Sequence, residues 1–137
     1  MIQNPGSNEI CDILEKCKTI AVLGISKNPS KISRTIAEYL IDNEYNVVGV
    51  NPGFSDAGGI QVYPTLNDVP FDIDIVNVFR RSETISEIIP NVLGKKPKVL
   101  WLQLGIRNNE AVKQAQELGI KIIQDKCIKI EHQKCSW

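Results

Sequence analysis

The chain has 137 residues, enough for one domain with a core of its own. Hydrophobic residues make up 42% of it and charged residues 23%, which excludes disordered, collagen-like and coiled-coil classes. Sixteen basic residues balance sixteen acidic ones, which weighs against a nucleic-acid-binding or membrane-binding surface while permitting a local basic patch.

Along the chain, strand and helix patterns alternate. Ile10, Ile13, Leu14 and Cys17 recur at helical spacing, so a helix is expected from about Ser7 to Cys17. Thr19–Ile25 is a near-continuous apolar run, the mark of a strand buried on both faces. A second helix, from about Ser30 to Asn43, should turn Ile32, Ile36, Ala37 and Leu40 inward behind a serine cap. Asn46–Val50 reads as the second buried strand. Gly58–Tyr63 is a short strand that Pro64 pushes toward a sheet edge. Ile73–Phe79 is a strand. Ser82 then caps a helix with Ile85, Ile88, Ile89 and Val92 on one face, which Pro90 should kink or shorten. Val99–Leu104 is another buried strand. Asn108 opens a helix with Ala111, Val112, Ala115 and Leu118 inward, and Gly119 closes it. Ile120–Gln124 is the last strand, and a charged tail should wrap the outside.

Strands joined by helices of this length imply right-handed crossovers and hence a parallel sheet. The expected fold is α/β: a Rossmann-like, doubly wound, mainly parallel sheet of five or six strands with helices on both faces. It forms one domain over residues 1–137, in the order 3-2-1-4-5-6. The N-terminal residues have no basic and apolar signal-peptide pattern, and no apolar run is long enough to cross a bilayer. Cys11, Cys17, Cys127 and Cys135 show no C-x-x-C spacing, and a single histidine rules out a zinc set. Cysteines taken as unpaired, with no export signal, lead to the expectation of a cytoplasmic protein. His132 is expected to be an exposed tail residue, Cys11 and Cys17 to pack within the first helix, and Cys135 to be exposed.

In a doubly wound sheet, ligands bind beyond the carboxyl ends of the strands, where strand order reverses. The loops to inspect follow Ile25, Val50, Phe79 and Leu104. All four arginines, Arg34, Arg80, Arg81 and Arg107, lie in these loops or in the first turn of the next helix, and Lys27 and Lys31 join the same rim. Arginine forks make paired, charge-assisted bonds to phosphate, and helix N-termini supply free N–H groups beside them. A neutral chain with this arrangement points to a polyanionic ligand. The first loop keeps only Gly24 of a G-x-G-x-x-G fingerprint. The second strand ends in Asn51-Pro52 where an NAD site carries a ribose-binding carboxylate. Asp72 and Asp74 stand at the start of a strand, away from this rim. No Ser-His-Asp set or nucleophile elbow is visible.

The ordered blocks G-I-S-K-N-P-S, V-V-G-V-N-P, Y-P-T-L-N-D-V-P, D-I-V-N-V-F-R-R-S-E, W-L-Q-L-G-I-R-N and D-K-C-I-K-I-E-H resemble the small stand-alone CoA-binding domain family, over about Thr19 to His132. That family is similar to the N-terminal domain of the succinyl-CoA synthetase alpha subunit. The resemblance implies CoA or acyl-CoA as the ligand, no catalytic turnover, and a small molecule rather than nucleic acid or membrane as the partner. It implies that the diphosphate and ribose lie near Gly24, Ile25, Ser26 and Lys27, with Ser33 and Arg34 in the following helical turn. The adenine would lie by Val50, Asn51 and Pro52. Val78, Phe79, Arg80 and Arg81 would line the switch-point crevice, and Gly105 and Ile106 would approach the pantetheine arm. Lys27, Lys31, Arg34 and Arg80 compete as phosphate partners. Two alternatives stay open. One is a minimal NADP-dependent oxidoreductase in which Arg80 or Arg81 reads a 2′-phosphate. The other is a regulatory or redox module in which Cys127 meets the CoA thiol.

Overall fold

A computed structural model describes residues 2–137. The elements in chain order are α1 (Ser7–Lys16), β1 (Thr19–Leu23), α2 (Ile32–Asp42), β2 (Asn46–Val50), β3 (Asp56–Ala57), β4 (Ile60–Tyr63), β5 (Ile75–Val78), α3 (Ile85–Lys95), β6 (Val99–Leu102), α4 (Asn109–Glu117), β7 (Lys121–Ile123) and α5 (Ile128–Lys134). They form a seven-stranded sheet in the order β3-β4-β2-β1-β5-β6-β7. The expected order of the six longer strands holds. The seventh strand is the two-residue β3, which pairs antiparallel with β4 through Asp56↔Gln61 and Ala57↔Ile60, around Gly58-Gly59. Every other pairing is parallel.

Alternating residues along each strand supply two cores, one on each face. Ile20, Val22, Ile75, Val99, Trp101 and Ile123 pack under α1, α2 and α5. Ala21, Leu23, Val76, Val78, Leu100 and Leu102 pack under α3 and α4. Trp101 is wholly buried, and its Nε1 donates to the Lys126 carbonyl at 2.8 Å, so the one polar atom of the ring is satisfied. Asp74 closes the amino-terminal edge: its Oδ2 accepts from the Lys18 and Thr19 backbone N–H groups at 3.0 and 3.1 Å. Strand order reverses between β1 and β5, so the crevice for a ligand opens at the carboxyl ends of these two strands.

Several expectations are corrected. The second helix starts at Ile32 with Lys31 as its uncapped entry residue, and Ile32 is exposed, as is Leu118 after α4. Ser82 opens a single 3-10 turn ahead of α3, and α3 runs through Pro90 to Lys95. Strands β1 and β6 end two residues early, which puts Leu104 in a loop. The tail is the helix α5, and His132 on it is buried. Tyr39 Oη lies 2.6 Å from His132 Nδ1, Trp137 stacks on the ring, and burial, aided by the Lys18 charge, holds the imidazole pKa below its ordinary value. The nearby Tyr45 phenol, buried and donating to the Leu14 carbonyl, is pushed up to about 12.

The cysteines also depart from expectation. Cys11 of α1 and Cys135 at the end of α5 form a disulfide, with Cα atoms 5.7 Å apart, and Cys135 is buried. Residues 124 apart in sequence meet because both helices cover the same face of the sheet. Cys17 and Cys127 remain free thiols, both buried. Burial, with Asp74 nearby, raises the Cys17 thiol pKa. The cysteine inventory therefore gives no support to a reducing compartment. No described helix is long and apolar enough to cross a membrane.

Candidate functional site

The carboxyl edge of the sheet carries two crevices, one over each face. The first, about 460 Å³, lies beside α3 and is lined by Leu23, Gly24, Val50, Asn51, Pro52 and Arg80, and by Pro64–Leu66 and residues of α3. The second, about 640 Å³, lies beside α5 and the loop after β6. Phe79, Arg80, Arg81, Gly105 and Ile106 line it, together with Cys127. Arg80, just past the end of β5, lines both, so the two adjoin there as a two-part passage. Both volumes suit a small molecule. A hollow of 710 Å³ between α1 and the amino ends of β6 and β7 is lined by Glu9, Asp12, Lys16 and Lys98, charges of both signs, and lies on the edge away from the switch point.

Gly24 fixes the crest of the passage. Its φ is +93°, and a Cβ there would stand 2.7 Å from the Phe79 carbonyl oxygen. Only glycine allows the turn after β1 to approach β5 so closely. The next residues are held by short-range bonds. Ser33 Oγ accepts from the Ser26 N–H at 3.0 Å, Ser26 Oγ accepts from the Asn28 N–H at 3.0 Å, and Asn28 Oδ1 accepts from the Ser30 N–H at 3.0 Å. Asn51 ties the second strand to the first: its Nδ2 donates to the Ile25 carbonyl at 3.0 Å and its Oδ1 accepts from the Gly53 N–H at 2.9 Å. Gly105, with φ +84°, donates its N–H to Asp125 Oδ1 at 2.7 Å, so the loop after β6 is anchored to the loop after β7.

The four arginines do not share one environment. Arg34 is buried at 5% exposure. Its Nη1 donates to the Lys27 carbonyl at 2.8 Å, and its Nη2 to Glu38 Oε2 at 2.7 Å. Gly58 lies so close that a Cβ there would come within 2.2 Å of Arg34 Nη2. Arg34 therefore pins the β3–β4 turn and the loop after β1 onto α2, and its guanidinium faces protein. Arg80 is half-buried, 3.3 Å from Glu87 across the first crevice. Arg81 and Arg107 are exposed, and Lys27 lies over the Phe54 ring, 5.5 Å from its centroid.

The passage thus brings together Gly24, Val50, Asn51, Pro52, Phe79, Arg80, Arg81, Gly105 and Ile106. Ile25 and Val78 point into the two cores. Ser26 and Lys27 border neither crevice, and Ser33 acts through Ser26. Sequence reasoning missed Glu87 and Asn91 of α3, and Ile32, Gln103, Leu104 and Ile130 around the second crevice. The turn after Tyr63, at the end of a fourth parallel strand on the same edge, was a readable signal for Thr65 and Leu66; α5 gave no such signal.

Residues 18–133 match the family described as CoA binding domain. The chain belongs to the CoA-binding domain family. It is 38% identical over 131 residues to the uncharacterized protein YneT of Bacillus subtilis, covering 96% of this chain and 97% of that one. A solved structure of a hypothetical protein from Pyrococcus horikoshii OT3 superposes with a TM-score of 0.91 at 30% identity, covering 98% of this CoA-binding domain and 96% of that chain. An ADP-forming acetate–CoA ligase of Methanocaldococcus jannaschii is 30% identical over 83 residues, which is 61% of this chain but 10% of the ligase. The domain is thus similar to a small part of that enzyme.

Proposed function

We propose that this protein binds coenzyme A, free or acylated, along the passage and holds it without turning it over. The nucleotide end occupies the crevice beside α3, with the adenine by Val50–Pro52. The diphosphate crosses at Gly24 and Arg80, and the pantetheine arm enters the crevice bordered by Gly105 and Ile106. The observation that carries this reading is Arg80. It stands where two crevices of different character meet, and a long ligand with phosphates at its middle needs a cation there. Family membership and the likeness to part of an acetate–CoA ligase support the same ligand.

Arg34 enters this reading as the residue that holds the loop in shape, since its Nη1 and Nη2 are engaged by Lys27 and Glu38. The 3′-phosphate adds about 1.5 to 2 negative charges, which the exposed Lys27 and Lys31 are free to meet from solvent. Titration calorimetry with CoA and 3′-dephospho-CoA tests the proposal. CoA should bind with measurable heat, more tightly than its dephospho form, and Arg80→Ala should weaken it about tenfold or more, the loss expected for a charge-assisted pair. Absence of binding by CoA would overturn the reading.

A further inference from the structure

The second crevice has a polar floor and an aliphatic bank. At the floor Gln103 is only 4% exposed. Its Oε1 accepts from Asn77 Nδ2 and from the Ile128 backbone N–H, both at 3.3 Å. A backbone N–H must face an oxygen, so the carboxamide has one orientation. That orientation leaves Nε2 without a hydrogen-bond partner among the described residues. It is not sealed away either, because the orphaned buried side-chain atoms are Arg34 Nε and Asn77 Oδ1. An unpartnered NH2 donor on a nearly buried side chain that lines a crevice is a place suited to an acceptor.

Facing it are Ile32, Leu104 and Ile130, exposed by 59%, 61% and 45%. They come from α2, from the loop after β6 and from α5, yet they gather on one crevice. The other large exposed hydrophobics, such as Phe71 and Leu118, are scattered. A gathered apolar surface of this kind marks an apolar ligand.

We propose that the crevice takes the acyl group of an acyl-CoA thioester. Gln103 Nε2 donates to the thioester carbonyl, and the acyl chain lies along Ile32, Leu104 and Ile130. This rests on the CoA reading above and deepens it. Free CoA has amide carbonyls only farther up its arm and ends in a thiol, which offers no carbonyl at its tip and leaves the aliphatic bank in water. Because this crevice adjoins the first at Arg80, a pantetheine arm laid across Arg80 ends at this bank.

The test is a calorimetric series of CoA, acetyl-, butyryl-, hexanoyl- and octanoyl-CoA against the wild type, Gln103→Glu, and the double variant Leu104→Ser/Ile130→Ser. Each added methylene should tighten wild-type binding about two- to fourfold until the bank is covered. In the double variant this slope should flatten. Gln103→Glu keeps the oxygen acceptors and removes the donor, so the preference for hexanoyl-CoA over CoA should fall about tenfold. Binding of CoA with no dependence on chain length overturns this inference and leaves the CoA reading standing. A slope equally steep in the double variant also overturns it, because the chain then lies elsewhere. A wild-type dimer that the double variant dissociates, with a flat series, assigns the bank to a second copy and overturns it. Failure of every ligand, CoA included, overturns the CoA reading itself.

Discussion

The disulfide between Cys11 and Cys135 closes a loop with a sequence separation of 124, nearly the whole chain. Cys11→Ser opens it. In the chain-entropy treatment, a closure of that length removes about 16 cal/mol/K from the denatured ensemble, or about 5 kcal/mol at 25 °C, and native disulfides commonly deliver about 2–4 kcal/mol. The rest of the α1–α5 contact survives the substitution: Ile10, Leu14 and Ile128 stay packed, and the Tyr39–His132 bond does not involve either sulfur. The cost therefore falls on the denatured state rather than on native packing. An unfolding entropy of about 2.1 cal/mol/K per residue gives about 0.3 kcal/mol/K for 137 residues. The melting temperature should fall by about 7–14 °C. Thermal melts followed by circular dichroism should be run on oxidised wild type, reduced wild type, Cys11→Ser, Cys135→Ser and the double variant, with thiols counted by mass. The two single variants and the double should melt together, because each opens the same loop. Melts of oxidised wild type and Cys11→Ser within 2 °C of each other (an experimental threshold of roughly a quarter of the expected shift) would refute the reasoning. Four alkylatable thiols in protein kept under mild oxidant would refute it as well.

Gly24→Ala places a Cβ 2.7 Å from the Phe79 carbonyl oxygen at a φ of +93°. The left-handed conformation alone costs about 1–2 kcal/mol, and the crest must shift as well; both melting temperature and CoA affinity should drop, read by melt and calorimetry. Acid should weaken the fold through His132. Its pKa is held below the unfolded value by burial and Lys18, so the unfolded chain takes up the proton first. The stabilisation is complete above about pH 6.5 and is lost as pH falls through the folded pKa. The wild type should show this loss between melts at neutral and mildly acidic pH, and His132→Gln should show less of it; equal pH sensitivity would remove His132 as the cause. Gly58→Ala meets the Arg34 guanidinium at 2.2 Å, so it should destabilise the protein and loosen the loop after β1, read as faster hydrogen exchange at residues 26–31.

The parallel sheet with helices on both faces was legible because it rests on a strong periodic signal, and the strand order and switch point came with the doubly wound template. Continuous apolar runs such as Ala21–Leu23 and Leu100–Leu102 mark strands covered on both faces, and the helices between them force parallel crossovers. The loops holding Gly24, Asn51 and Arg80 follow from that topology. What stayed hidden depends on where side chains finish. Cys11 and Cys135 carry no local pattern that pairs them; only the docking of α1 and α5 on one face does so. Arg34 has the same composition signal as Arg80, yet the β3–β4 turn closes over it and its Nη1 and Nη2 are bonded inside the protein.

Ile32 and Leu104 are the more telling misreadings. Hydrophobic periodicity placed both in a core, because an apolar residue that waits for a ligand and one that packs against the chain look identical in one dimension. Leu118, exposed after α4, fails the same pattern away from that crevice, but Ile32 and Leu104 line it together, beside Gln103. Breaks of the local rules that converge on one crevice are expected where a chain meets another molecule. The disagreement between pattern and exposure at Ile32 and Leu104 is thus itself a pointer to the acyl end of the proposed ligand, independent of Arg80, on which the phosphate reading rests.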